Sequence, residues 1–151
     1  MNNYKIDEKG LEFIANFEGI KLSPYKDLAG ICTLGIGNTH HNDGTPVKCS
    51  DKSITKKEAY SMLKHQIDNH YGKLVNHYVQ VPLTRKQWTA LVSFAYNEGT
   101  TALKHSTLLK KINLGLYVDA ASEFKKWSFA NHHIIKGLIT RREREAELFL
   151  A

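Results

Sequence analysis

The hydrophobic positions near the start of the chain follow a helical period, which is then lost for about thirty residues. Leu11, Ile14 and Ala15 recur at i, i+3 and i+4, a spacing that predicts a helix over residues 7–18. Glycines and prolines interrupt the pattern over residues 20–50. There the segments GICTLGIG and TPVK are typical of short strands, and NDG is a strong turn signal. The sequence thus predicts one helix followed by a small sheet.

Helical periodicity returns in the segment TKKE, a capping box in which Thr55 and Glu58 satisfy each other's backbone amides. The apolar stripe that follows predicts a long helix over about 55–80, either continuous or broken near Gly72. Pro82 marks its end.

A second capping box, from Thr84 to Gln87, opens the segment KQWTALVSFAYN. This segment is apolar on nearly every face, as is typical of a helix buried at the centre of a protein. Three further helices are predicted over about 106–113, 117–127 and 138–150.

These elements predict an α+β fold that is mainly α, in a single domain over 1–151. A small N-terminal lobe with a short antiparallel β-sheet spans about 20–54, and the long helix connects it to a helical lobe over about 82–151. We expect the N-terminal helix, 7–18, to pack against the helical lobe.

Composition and charge narrow the class of protein. The 151 residues are 42% hydrophobic and 24% charged, as in soluble globular proteins. The start, MNNYKIDEKG, has no apolar segment of the signal-peptide type, so we expect synthesis in the cytoplasm and release by another route. Lys plus Arg is 21 and Asp plus Glu is 15, so the net charge is 21 − 15 = +6. The cations are scattered in pairs, which favours a solubilising surface over a dedicated nucleic-acid patch, although a polyanionic wall also suits such a charge.

Two cysteines, Cys32 and Cys49, are too far apart in sequence for a zinc-binding CxxC pair. Two unpaired thiols are the default expectation for a cytoplasmic protein. The cysteines also flank a segment predicted to contain hairpin strands, so a disulfide between them is geometrically possible.

Two carboxyl groups stand out at the end of the first helix and just beyond it. Glu18 continues the apolar stripe of that helix, and Asp27 lies in a polar, turn-rich stretch. Burial disfavours the charged form of a carboxyl, and a carboxyl that keeps its proton near neutral pH can act as a general acid. A protonated and an ionised carboxyl form the pair that a glycosidase uses. The alternative is structural, with Glu18 in a salt bridge to an arginine of the last helix and Asp27 as an ordinary turn residue.

Six blocks of the chain, in order, resemble the phage-type lysozymes, or endolysins. They are FEGIKLSPYKDLAGICTLGIGNT, ITKKEAYSML, VPLTRKQWTALVSFAYNEG, STLLKKINLG, AASEFKKW and KGLITRREREAELF. The resemblance implies a β-containing lobe and a helical lobe with a substrate cleft between them. It also implies hydrolysis of the β-1,4 bond between N-acetylmuramic acid and N-acetylglucosamine in bacterial peptidoglycan, for host cell lysis.

Residue by residue, the resemblance implies a catalytic set of Glu18, Asp27 and Thr33. Glu18 would protonate the glycosidic oxygen, and Asp27 with the Thr33 hydroxyl would hold a water on the opposite face of the sugar. Attack by that water inverts the anomeric centre, for which the two carboxyls stand roughly 6.5–9.5 Å apart. The alternatives are a lytic transglycosylase, which needs no water-holding partner, and a catalytically silent wall-binding module.

Departures from the family pattern affect the lip of the implied cleft. Ile36 and Asn38 occupy places where the family often has tyrosine and histidine, and the segment THHNDGTPVKCSDKS is longer. These differences concern the preference among substrates and leave the implied chemistry unchanged.

Three residues outside the catalytic set are candidates for substrate binding or support. Asn97 and Trp127 match the family's cleft, although Trp127 also suits core packing. Arg141 lies on an apolar stripe of the last helix and is a candidate partner for Glu18, with a surface arginine as the alternative. The histidines lack metal-ligand spacing, so we expect no metal and no cofactor. We also expect a monomer that neither binds nucleic acid nor inserts stably into a membrane.

Overall fold

The computed structural model describes residues 2–130 and 132–151. The described residues are mainly helical and form two short antiparallel hairpins, so the predicted α+β class with a helical majority is confirmed. Contacts divide the chain into two units. The sheet unit is Ile6–Asn69, and the helical unit is His70–Ala151 with the N-terminal segment that ends at Lys5.

Helix α1, Glu8–Glu18, begins and ends at local signals in the sequence. The Asp7 side chain caps it by accepting a hydrogen bond from the Gly10 amide, at 2.8 Å. Gly19 has a φ of 76°, a conformation that suits glycine, and lets the chain leave the helix directly after Glu18. Helix α1 belongs to the sheet unit. Its expected packing against the helical lobe stays a prediction.

The sheet of this unit pairs β1, Lys21–Lys26, with β2, Cys32–Gly35, in antiparallel register. Strand β2 lies inside the predicted segment GICTLGIG. Strand β1 was not predicted, because Pro24 interrupts its pattern, and the register shifts between Lys21 and Tyr25.

The prediction of a strand in TPVK was wrong, since the only pairing described there is an isolated bridge between His40 and Pro46. The NDG turn is confirmed by a hydrogen bond of 3.0 Å from the Gly44 amide to the His41 carbonyl. The segment between β2 and the next helix therefore has little regular structure to hold it.

A disulfide between Cys32 and Cys49 closes most of this segment, with 17 residues separating the two cysteines. The default expectation of two unpaired thiols was therefore wrong, because folding brings the two ends of the segment together. The bond lies against a small core of Leu34, Val47 and Met62, onto which Cys32 also packs. It thus fastens the edge of β2 to a segment that is otherwise ordered by hydrogen bonds, such as those that Asp51 accepts from His41 and from the Lys48 amide.

We expect replacement of both cysteines by serine to lower the free energy of unfolding by about 2–4 kcal/mol, because a closed loop of this length restricts the unfolded chain. Urea unfolding followed by circular dichroism measures the change. The control is a reductant, which should lower the stability of the wild type to that of the double variant and leave the variant unaffected. Equal stability of oxidised and reduced wild type would contradict the expectation.

The predicted long helix is present as three consecutive segments. Helix α2, Lys56–Gln66, begins at the expected capping box of Thr55 and Glu58. A π-helical turn, Ile67–Tyr71, and helix α3, Gly72–Tyr78, follow directly. Of the two alternatives, the helix is therefore continuous past Gly72, with a local change to π-helical geometry just before that residue.

The helical unit is built around helix α4, Arg85–Glu98, in which every residue from Trp88 to Ala95 is buried. Its capping box of Thr84 and Gln87 is confirmed. The remaining elements are α5 Thr100–Lys104, α6 Thr107–Asn113, α7 Tyr117–Phe124, β3 Phe129–Ala130, β4 His133–Ile134 and α8 Lys136–Leu150.

Five of these elements differ from the prediction. Helix α7 ends before residue 127, and α8 begins before Gly137. Helix α5 and the β3–β4 hairpin were not predicted, since each is too short to show a period. Within the described ranges, no helix combines the length and the apolar character that crossing a membrane requires.

Candidate active site

Asp27 opens the loop between β1 and β2, where it fixes the backbone of the turn. Its Oδ1 accepts hydrogen bonds from the amides of Ala29 and Ile31, both at 2.9 Å. Its backbone amide donates to the Ile31 carbonyl, and the Gly30 amide donates to the Asp27 carbonyl, also at 2.9 Å. Aspartate favours the first position of such a turn because its side chain bonds to the backbone two residues on. Both amide bonds fall on one carboxylate oxygen, so the position of Asp27 is set by its own loop.

Thr33 lies on β2 at the other end of the same loop, and only 3% of its surface is exposed. Its hydroxyl donates a hydrogen bond of 2.9 Å to the Ile31 carbonyl. Because a hydroxyl has one proton and two lone pairs, this bond leaves Thr33 Oγ1 able to accept only. Asp27 and Thr33 are thus both anchored to the backbone of Ile31.

Glu18 is the last residue of α1, at the point where the chain turns towards β1, and is half-buried. The pKa of Tyr25 shows which groups lie near Glu18. Burial raises the pKa of the Tyr25 phenol, and the charges of Asp27 and Glu18 raise that pKa further. Both carboxyls therefore act on the same hydroxyl group. The sheet unit brings Glu18, Asp27, Thr33 and Tyr25 into one neighbourhood, of which Tyr25 was not foreseen.

The other three candidates lie in the helical unit, around a buried polar network between α4 and α8. Arg142 is fully buried, and its guanidinium donates to Glu145, Asn97 and Glu98. Its Nε donates to the Trp127 carbonyl at 2.9 Å. Burial raises the pKa of the Glu145 carboxyl, while the nearby guanidiniums of Arg142 and Arg141 oppose that shift. The central role of Arg142 was not foreseen, because a charged side chain in a basic segment resembles a surface residue.

Arg141 belongs to the same network and is 4% exposed, so the alternative of a surface arginine was wrong. Its guanidinium donates to Glu145 at 3.3 Å and to the Ser93 carbonyl at 3.0 Å. Trp127 is half-buried, and its ring meets the edge of Phe94 with 5.2 Å between centroids. These contacts support α4 and α8. The pairing of Arg141 with Glu18 and the binding of substrate by Asn97 and Trp127 stay predictions.

The family model described as phage lysozyme matches residues 15–145, which include the whole neighbourhood just described. The chain belongs to the phage lysozyme family. It is 41% identical to the endolysin of Acyrthosiphon pisum secondary endosymbiont phage 1, over 95% of this chain and 97% of that protein. It is 36% identical to the SAR-endolysin of Escherichia phage Mu, over 90% of this chain and 75% of the relative.

A solved structure of a P22 lysozyme mutant superposes on this phage lysozyme with a TM-score of 0.88, at 34% identity, covering 99% of this chain and 100% of that one. The lysozyme-like fold that the sequence predicted is thereby confirmed. The chain is a glycoside hydrolase of the lysozyme type, a phage endolysin that acts on peptidoglycan in cell lysis. Within the described residues, no cluster of three or more His, Cys, Asp or Glu side chains is placed to hold a metal ion.

Proposed function

We propose that this phage lysozyme hydrolyses the β-1,4 bond between N-acetylmuramic acid and N-acetylglucosamine with inversion of the anomeric centre. In this proposal Glu18 is the general acid, and it gives its proton to the glycosidic oxygen as the bond breaks. Asp27 is the anion that stabilises the positive charge developing on the sugar. Asp27 and Thr33 together hold the water that attacks the anomeric carbon.

The hydrogen bonding of Thr33 carries the proposal. Its proton is used by the Ile31 carbonyl, at 2.9 Å, so Oγ1 presents lone pairs to any water that reaches it. Such a water donates one hydrogen bond to Thr33 Oγ1. Its second proton and its lone pairs stay available for Asp27 and for the anomeric carbon. The β-branched side chain also has few rotamers, which keeps Oγ1 in place.

Asp27 supplies the second acceptor that an attacking water needs. Its Oδ1 is occupied by the amides of Ala29 and Ile31, so Oδ2 is the oxygen to take the second proton of the water. A water that donates both protons to protein oxygens keeps its lone pairs for the anomeric carbon. Asp27 then acts as general base and receives the proton that the water loses on attack.

The configuration of the first product tests this mechanism. An inverting enzyme should release an α-configured reducing end from a β-linked glycan, because water attacks the face opposite the leaving group. Proton NMR of freshly cleaved peptidoglycan fragments, read before mutarotation, measures the anomer. A β product would mean retention, with Asp27 as the nucleophile. A 1,6-anhydro product would favour a lytic transglycosylase.

We also propose that the enzyme is made in the host cytoplasm, acts as a monomer and reaches the wall through a separate membrane lesion. The disulfide of Cys32 and Cys49 supports action in an oxidising compartment, where such bonds persist. The net charge of +6 supports attraction to the anionic wall, without a role for nucleic acid.

A further inference from the structure

Tyr25 lies on β1 and has electrostatic interactions with Asp27 and Glu18, two members of the proposed catalytic set. Strand pairing places it directly opposite Thr33, so the two side chains lie on the same face of the hairpin. Asp27 follows two residues later, at the first position beyond the strand, where side chains again project towards that face. Tyr25 is 36% exposed, so it is not a core residue. Tyr25 therefore lies on the same face as Thr33 and Asp27, the two residues proposed to hold the water.

The charges around Tyr25 are distinctive. Burial disfavours the phenolate most, and the charges of Asp27, in the following loop, and of Glu18, at the end of α1, disfavour it further. Lys21 and Lys26 lie on the same strand and are exposed, and Cys32 on the facing strand is in the disulfide and does not titrate. The phenol therefore keeps its proton beside two carboxyls. A neutral hydroxyl can donate a hydrogen bond to a nearby anion, and a hydrogen bond to a charged acceptor is stronger than one to a neutral acceptor.

We propose that Tyr25 is a positioning residue that acts through Asp27, its hydroxyl donating a hydrogen bond to the Asp27 carboxylate when substrate is bound. This inference rests on the proposed role of Asp27 as the anion that holds the water. The Asp27 backbone bonds fix Oδ1, and the Tyr25 hydroxyl fixes the orientation of Oδ2 from the side of the sheet. The attacking water then donates to an Asp27 carboxylate whose orientation is fixed by hydrogen bonds to both of its oxygens.

Kinetics of Tyr25→Phe test the role, because the change removes only the hydroxyl. We expect kcat to fall roughly tenfold to a hundredfold, the effect of losing one hydrogen bond to a charged group, with KM nearly unchanged. Tyr60→Phe, on α2 of the same unit, is the matched control and should leave both quantities at their wild-type values.

A second measurement does not depend on activity. Ultraviolet titration of tyrosinate, compared between wild type and Tyr25→Phe, isolates the ionisation of Tyr25 from that of the other tyrosines. In an Asp27→Asn background that ionisation should move to lower pH, because an anion that opposes the phenolate has been removed. An unchanged titration, or a Tyr25→Phe variant that behaves like Tyr60→Phe, would overturn the inference.

The two measurements also separate the inference from the function on which it rests. An active Asp27→Asn enzyme would contradict the proposed mechanism, whatever the titration shows. An inactive Asp27→Asn enzyme with no shift in the Tyr25 titration would leave the mechanism intact and remove Tyr25 from it.

Discussion

Replacing Glu18 by glutamine should abolish lysis of peptidoglycan and leave the fold unchanged. The amide has nearly the same size as the carboxyl but no acidic proton to give to the leaving oxygen. General acid catalysis contributes roughly 10²–10⁴-fold, so we expect a loss of at least that order in the rate at which a wall suspension clears. Circular dichroism and the urea midpoint should match the wild type, because glutamine has nearly the same size as glutamate and Glu18 is the last residue of α1.

The matched control is Glu12→Gln, the same chemical change on the same helix. Glu12 is exposed and lies two turns before Glu18, outside the proposed catalytic set. This variant should clear walls at the wild-type rate, which would show that the loss in Glu18→Gln is specific to its position. Clearing by Glu18→Gln at a near wild-type rate would end the assignment of Glu18 as the acid.

Replacing Asp27 by asparagine should cost roughly 10³-fold in kcat, because it removes the charge that stabilises the transition state and the base that takes the proton of the water. The loop should survive the change, since an amide oxygen can still accept from the amides of Ala29 and Ile31. Lysis assays with matched unfolding curves measure the effect. Thr33→Ala should lose less, since it removes one acceptor and no charge.

Asp43→Asn is the control for Asp27→Asn, because Asp43 has the same local role in another turn. Its Oδ1 accepts from the Thr45 amide at 3.0 Å and from the Thr45 hydroxyl at 2.6 Å. Full activity of Asp43→Asn would show that losing a turn carboxylate is not itself harmful. If Asp27→Asn were as active as this control, the proposed water site would be wrong.

The pattern of activity losses across the three proposed catalytic positions also separates the rival functions. A lytic transglycosylase needs the acid but no held water, so it would lose activity with Glu18→Gln and tolerate Asp27→Asn and Thr33→Ala. Tolerance of all three changes would favour a wall-binding module. We expect neither pattern, because Asp27 and Thr33 both have an unused acceptor and share the anchor of Ile31.

Two helix starts could be predicted from residues that lie close together in the sequence. Thr55 with Glu58, and Thr84 with Gln87, are three residues apart and bond to each other's backbone, so the capping boxes could be predicted without knowing the fold. The all-round apolar pattern of α4 likewise predicted its burial. Glu18, Asp27 and Thr33 were selected by residue type, spacing and family resemblance.

Only the tertiary structure decided which distant residues meet. Strand β1 forms because it pairs with β2, and Pro24 hid this strand from the sequence pattern. Cys32 reaches Cys49 only after the segment between them has folded back. The burial of Arg142 likewise depends on partners about 45 residues away in α4. Cross-strand pairs and buried ion pairs join residues far apart in sequence, and no periodicity encodes such a pairing. The same holds at the candidate site, where the sequence indicated the groups that we propose carry the chemistry, and folding placed Tyr25 opposite Thr33.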